Sequence, residues 1–278
     1  MYGFSVRGNK GNLLISDEVP IMTQAWKGKL VVTHRPADSA RAYGFCQIFY
    51  PEPVTSTVPP MVFAVPTGEA YTSAGLGLFC HRGGPGNWTG FCILVVRDVF
   101  LQAGGALPIG YDTGWEYKVC GFGLAGDNGY DEYGLRIFDK LGKIAYDSAW
   151  PVVKFQGLMS AWELRDFTRH YNVGAYWLPR YNDDGDIDYD YVLAKGRHVW
   201  GFGDSTKGVM ISSMGNVNTQ MDMGHTDQHG SAVLVIGFSG ASRSYLEAVA
   251  VFGKAQHPGG DVSILRRWNM LTADFTGI

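Results

Sequence analysis

The sequence predicts an all-β fold of two tandem β-sandwich-like domains related by an internal duplication, with little helix. Three observations predict it. A hairpin-like pattern occurs twice, 131 residues apart. The composition is rich in glycine (38 residues) and aromatics (14%) and sparse in charge (18%), as in chains of many short strands joined by tight turns. Helical signal is thin, with residues 160–167 the one candidate for a short capped helix. At 278 residues and 46% hydrophobic content, the chain is long and apolar enough for two domains with their own cores.

In the first copy Phe4 and Val6 alternate with Ser5 and Arg7, the period of a half-buried strand. Gly8-Asn9-Lys10-Gly11-Asn12 tolerates the turn, Leu13 to Ile15 return, and Pro20 ends pairing because it has no amide hydrogen to donate. In the second copy Leu135 and Ile137 flank Arg136, Asp139-Lys140-Leu141-Gly142 turns the chain, Ile144 to Tyr146 return, and Pro151 stops the pattern. Tyr2, Gly3, Gly11 and Pro20 thus match Tyr133, Gly134, Gly142 and Pro151. A spacing of this size exceeds the roughly 20–50 residues of a solenoid repeat and fits a whole module. The halves also close alike, since Trp115, Val119, Phe122 and Gly123 match Tyr245, Val249, Phe252 and Gly253 at a spacing of 130. These anchors divide the chain into a first module at 1–126, a linker at 127–132, a second module at 133–253 and a C-terminal strand and tail at 254–278. The last segment has no counterpart after Gly123 and is expected to contact a neighbouring domain or subunit.

Charge and hydropathy remove several function classes. The net charge is −3 and no Lys/Arg run exceeds the pair Arg266-Arg267, so a phosphate-neutralising nucleic-acid surface is not expected. No apolar stretch approaches the roughly 18 residues of a membrane helix, so no membrane insertion is expected. The N-terminus lacks a basic region followed by an apolar core, so no secretory leader is expected either. Cys46, Cys80, Cys92 and Cys120 form no CxxC pair and sit among apolar neighbours, which reads as buried free thiols on strands.

Candidate chemistry is concentrated in the second half. Gly121, Gly123 and Gly126 spell GxGxxG, but a helix-hostile Asp127-Asn128-Gly129 follows where a dinucleotide fold needs a helix. Asp184, Asp186 and Asp188 belong to an acidic run able to offer oxygen ligands to calcium. Ile187 and Leu193 occupy the positions where an EF-hand needs glycine and glutamate, and the alternating aspartates suit the solvated arm of a hairpin. His225, Asp227 and His229 project to one side of an extended chain and could hold zinc or iron, while the flanking Gly224 and Gly230 favour a polar loop. Asn216, Asn218 and Gln220 form an alternating polar ladder, and Trp177 and Trp200 lie beside glycines or turns where a ring could stack on a sugar. No nucleophile elbow, zinc-protease helix or phosphate loop is present, so no catalysis and no cofactor are expected, with a calcium or transition-metal ion at the two candidate sites as the alternative.

The pattern Gly134-Leu135-Arg136-Ile137-Phe138-Asp139, then Gly142-Lys143-Ile144 and Asp147-Ser148, resembles hairpins that open small β-sandwich modules in minor tail proteins of tailed bacteriophages. The first copy departs from it by carrying Ser16-Asp17 in place of Asp-Ser. The resemblance implies a structural virion protein of the tail tip, baseplate or fibre, assembled in the bacterial cytoplasm and contributing to host attachment. It also implies other tail proteins, such as hub and fibre, as partners, a homotrimer or ring, and a bacterial surface glycan as receptor. A carbohydrate-binding tandem β-sandwich is the first alternative, and a glycan depolymerase the second.

Overall fold

The computed structural model describes residues 5–7, 13–16, 21–35, 43–67, 74–96, 107–124, 134–159, 163–171, 180–181, 187–188, 190–199, 206–214, 232–238, 245–253 and 270–276. Among them the structure is all-β, with antiparallel pairing throughout and no helix. The first half holds β1 (Ser5–Arg7), β2 (Leu13–Ser16), β3 (Met22–Val31), β4 (Tyr43–Val54), β5 (Met61–Pro66), β6 (Gly75–Gly84), β7 (Asn87–Val96) and β8 (Asp112–Phe122). The second holds β9 (Arg136–Phe138), β10 (Ile144–Asp147), β11 (Lys154–Met159), β12 (Glu163–Tyr171), β13 (Arg180–Tyr181), β14 (Ile187–Asp188), β15 (Asp190–Val199), β16 (Lys207–Met210), β17 (Ala232–Phe238), β18 (Tyr245–Gly253) and β19 (Met270–Asp274). Residues 163–167, expected to be helical, are the start of β12. Its ladder with β15 runs from Glu163 to Tyr171, and the β-favouring Phe167, Thr168 and Tyr171 agree with that pairing rather than with a helical turn.

The two expected hairpins form with one register. Ser5, Val6 and Arg7 face Ser16, Ile15 and Leu13, and Arg136, Ile137 and Phe138 face Asp147, Tyr146 and Ile144, with the same irregularity after the middle pair. Adding 131 to every residue of the first ladder reproduces the second.

The larger strands build two sheets, and each runs through both halves. One has the order β11-β19-β16-β5-β8-β3, the other β12-β15-β18-β17-β6-β7-β4. The halves meet edge to edge where β5 pairs with β16 and β6 with β17. In the six-stranded sheet a bridge between Thr23 and Val152 ties β3 to the residues leading into β11. Gln24 N donates to Pro151 O (2.9 Å) and Val153 N to Met22 O (3.0 Å). The six strands therefore close on themselves as a barrel. Its interior is Met22, Phe63, Val65, Cys120, Val153, Ala273 and Phe275, contributed from around the ring. The barrel's other face packs against the seven-stranded sheet through Trp26, Leu30, Val62, Trp115, Val119, Val209 and Met270 from one side and Cys46, Leu76, Phe79, Phe91, Ile93 and Ile236 from the other.

The ladders carry the repeat further than the hairpins do. Met22, Thr23 and Gln24 of β3 pair with Phe122, Gly121 and Cys120 of β8, and after a bulge Trp26, Lys27 and Gly28 pair with Val119, Lys118 and Tyr117. In β11 Lys154 and Phe155 pair with Asp274 and Ala273 of β19, and after a bulge Gly157, Leu158 and Met159 pair with Thr272, Leu271 and Met270. Shifting β3 by 131 and β8 by 153 converts the first ladder into the second, bulge included. The next ladders agree. Val62 faces Val119 while Val209 faces Thr272, and Phe63 faces Met210, the position it would exchange with under a two-fold rotation. By register, β19 is the counterpart of β8. The similarity between residues 115–123 and 245–253 joins strands of different sheets, and the final segment contains the strand it was expected to lack an equivalent for.

Candidate functional site

Trp177, Trp200, Asn216, Asn218, Gln220, His225, Asp227, His229, Asp184 and Asp186 lie outside the described residues. Asp188 is in β14, whose backbone pairs it with Arg180 of β13, so the strands flanking the acidic run form a hairpin. No cluster of three or more His, Cys, Asp or Glu side chains able to hold a metal occurs among the described residues.

Two places in the described structure concentrate polar chemistry. The first is the second hairpin, where Arg136, Asp139, Asp147 and Ser148 of the quoted motif each have a structural partner. Asp139 Oδ1 accepts from the amides of Leu141 (2.8 Å) and Lys143 (2.9 Å), holding the turn. Arg136 Nε donates to Asp147 Oδ2 at 2.6 Å across the ladder, and Ala149 N donates to the other oxygen at 2.9 Å. Burial raises the Asp147 carboxyl, and the Ala149 amide and the Arg136 guanidinium outweigh that and hold it below its ordinary value. Ser148 Oγ accepts from Leu135 N at 2.9 Å, and a Cβ at Gly134 would meet that hydroxyl and oblige it to turn away from the amide it holds. Ile137, Ala145 and Trp150 are buried beneath, while Leu135, Phe138 and Leu141 face outward. The motif is a self-supporting turn with an apolar outer side.

The second place lies on the outer face of the seven-stranded sheet, where β4, β7 and β6 run side by side. Phe49 and Arg82 both lie opposite Gly90, one on each neighbouring strand. Gly90 has φ of 154° and a Cβ there would strike Ile48 O, so the position stays without a side chain. The Arg82 guanidinium carbon spans the gap and lies 4.6 Å from the centroid of the Phe49 ring, which is 62% exposed. Two residues along the ladder, past the inward Ile48–Phe91–His81 row, Gln47, Cys92 and Cys80 form the next row on the same face. Exposed Cys80 and half-buried Cys92 correct the expectation that all four thiols are buried, because these two point away from the core between the sheets that holds Cys46, while Cys120 is buried inside the barrel.

Behind this face a column of rings leads out of the core. Trp26 stacks on Tyr50 (5.2 Å), Phe91 stacks on Phe79 (5.1 Å), His81 meets Phe79 edge-on (4.8 Å) and Trp88 covers His81 (5.5 Å). Trp88 Nε1 donates to Ser56 O at 2.9 Å, which fixes the indole. Burial lowers the His81 pKa, favouring the neutral ring, and its buried Nδ1, like Nε of Arg82, has no hydrogen-bond partner within the described protein. The surface therefore offers a flat ring and a guanidinium on a braced hairpin, with His81 packed behind them on the core side. The sequence held a signal for it in His81-Arg82-Gly83-Gly84-Pro85-Gly86-Asn87-Trp88, a two-residue Pro-Gly turn bounded by aromatic and cationic residues. Phe49 was not legible because only the pairing of β4 with β7 brings it there.

No family model, curated protein or solved structure matches the chain.

Proposed function

We propose that this chain is a structural virion protein of a phage tail tip or baseplate that contributes to host-surface attachment. The observation that carries the reading is the second hairpin. It bears the residues of the tail-protein resemblance, and those with described hydrogen bonds, Arg136, Asp139, Asp147 and Ser148, serve architecture. An outward row of Leu135, Phe138 and Leu141 on such a rigid turn suits packing against a neighbouring tail protein, a hub, a fibre or another copy in a ring. Immunogold labelling of purified tailed particles with antibody to this chain tests the reading. Label at the tail tip supports it, and particles free of label overturn it.

Carbohydrate binding is the second reading, favoured by Phe49 and Arg82 side by side on the outer face of one sheet. An exposed ring with neighbouring donors suits the apolar face and hydroxyls of a sugar. Glycan-array binding by the intact protein that disappears in Phe49→Ala would favour it, and an array that stays blank would remove it.

A further inference from the structure

We propose that Cys80 and Cys92 form a paired modification site, which a hydroperoxide converts into a reversible cross-strand disulfide between β6 and β7. Cys80 and Cys92 are direct partners in the antiparallel ladder, so both side chains stand on the same outer face. The amide of Phe79 turns away to Met214 O (2.7 Å), which leaves the next residue, Cys80, at a hydrogen-bonded position facing β7. Opposite Cα atoms at such positions lie about 5.5 Å apart. That separation falls within the roughly 4.4–6.8 Å spanned by disulfides, although the Cβ atoms must be drawn closer than the ladder holds them. The resulting strain makes the bond easy to reduce, the property of a labile rather than a permanent staple.

Accessibility selects this pair from the four thiols. Cys80 is exposed and Cys92 half-buried, whereas Cys46 and Cys120 are buried in the core. Burial pushes the Cys46 thiol up to about 12 and raises Cys120 and the less deeply buried Cys92 as well, so exposed Cys80 is the thiol placed to react first and Cys92 the one placed to resolve it. The chemistry balances in two steps. The Cys80 thiolate attacks one oxygen of the hydroperoxide, the O–O bond breaks, and the departing oxygen takes a proton, leaving a sulfenic acid. The Cys92 sulfur then attacks the Cys80 sulfur. The S–S bond forms, the S–O bond breaks, and hydroxide leaves as water with the Cys92 proton. Two thiols lose two electrons, and the peroxide O–O bond accepts them. The bond would sit two residues along the ladder from the Phe49–Gly90–Arg82 row and clamp the hairpin that carries Trp88.

The test treats the full-length protein with hydrogen peroxide, alkylates remaining thiols and maps non-reduced peptides by mass spectrometry. The expected product has lost the mass of two hydrogen atoms, links the Cys80 and Cys92 peptides, and returns to the starting mass with dithiothreitol. In Cys92→Ser the same treatment should carry Cys80 on to sulfinic or sulfonic acid. The proposal is overturned if Cys80 in the parent protein becomes sulfinic acid or cross-links two chains while Cys92 stays alkylatable. It is equally overturned if neither thiol reacts, or if Cys92→Ser still forms an internal disulfide.

Discussion

Strands β3 and β11 share one backbone and opposite surroundings. Both carry the same bulge and face equivalent partners, β8 and β19, residue for residue. Yet Thr23, Gln24, Ala25 and Trp26 are buried, while their counterparts Lys154, Phe155, Gln156 and Gly157 are exposed. The first paired position after the bulge holds Trp26 in one half, stacked on Tyr50, and Gly157 in the other, where an added Cβ would meet nothing nearer than Thr272 Oγ1 at 3.9 Å. The difference teaches that the ladder and its bulge, rather than the side chains they carry, preserve the pairing. A second contrast agrees. Phe275 is buried in the barrel over Gly208, where a Cβ would lie 2.7 Å from its ring, while Phe122, its counterpart on β8, is 61% exposed.

The largest expected effect separates the two bulges. Trp26→Ala should cost about 3–5 kcal/mol by urea denaturation, since it empties a packed core position, whereas Gly157→Ala should stay within about 0.5 kcal/mol. Equal losses at both sites would erase the contrast. A middle-sized effect is expected two residues before the unpaired Ala25. Thr23 is fully buried and its hydroxyl donates to Leu124 O at 2.7 Å. Thr23→Val leaves that carbonyl short of a donor and should cost about 1–3 kcal/mol, with Lys154→Ala near zero in the same assay.

The smallest effect sharpens the hairpin comparison. Asp147 is held below its ordinary carboxyl value, and Ser16 stands at the matching place in the first hairpin. A depressed carboxyl stabilises the fold above its unfolded-state pKa, and that contribution fades as pH falls through the lower folded value. Asp147→Asn should therefore destabilise most near neutral pH, with the difference from the parent protein shrinking below about pH 4. Denaturation curves at a series of pH values check this, and a gap that stays constant on acidification would count against the assigned partners.

Much of the frame was legible in the sequence because local chemistry specifies it. Alternating Phe4 and Val6, or Leu135 and Ile137, before a glycine-bearing turn determine a hairpin and its register. The counterpart of β8 was hidden because the spacing grows along the chain, from 131 at β3 to 147 at β5 and 153 at β8, with β12 and the hairpin of β13 and β14 added in the second half. Aromatic-Val-Phe-Gly recurs in any strand that leaves a core, so it matched β8 to the wrong sheet. The Phe49–Arg82 contact was illegible because it depends on two long-range ladders meeting at Gly90.

The central claim is that the two halves exchange around two equivalent edges, Thr23 with Val152 on one side of the barrel and Phe63 with Met210 on the other. Both are non-hydrogen-bonded pairs, as the bonds Gln24 N to Pro151 O, Val153 N to Met22 O and Ile211 N to Val62 O require. Opposed α-protons at such sites are close enough for a strong nuclear Overhauser effect. Measuring the Hα–Hα effects in isotopically labelled full-length protein tests both edges together. The account predicts strong cross-peaks for Thr23–Val152 and for Phe63–Met210. Absence of either, with the two strands concerned showing cross-peaks to other partners, would contradict it.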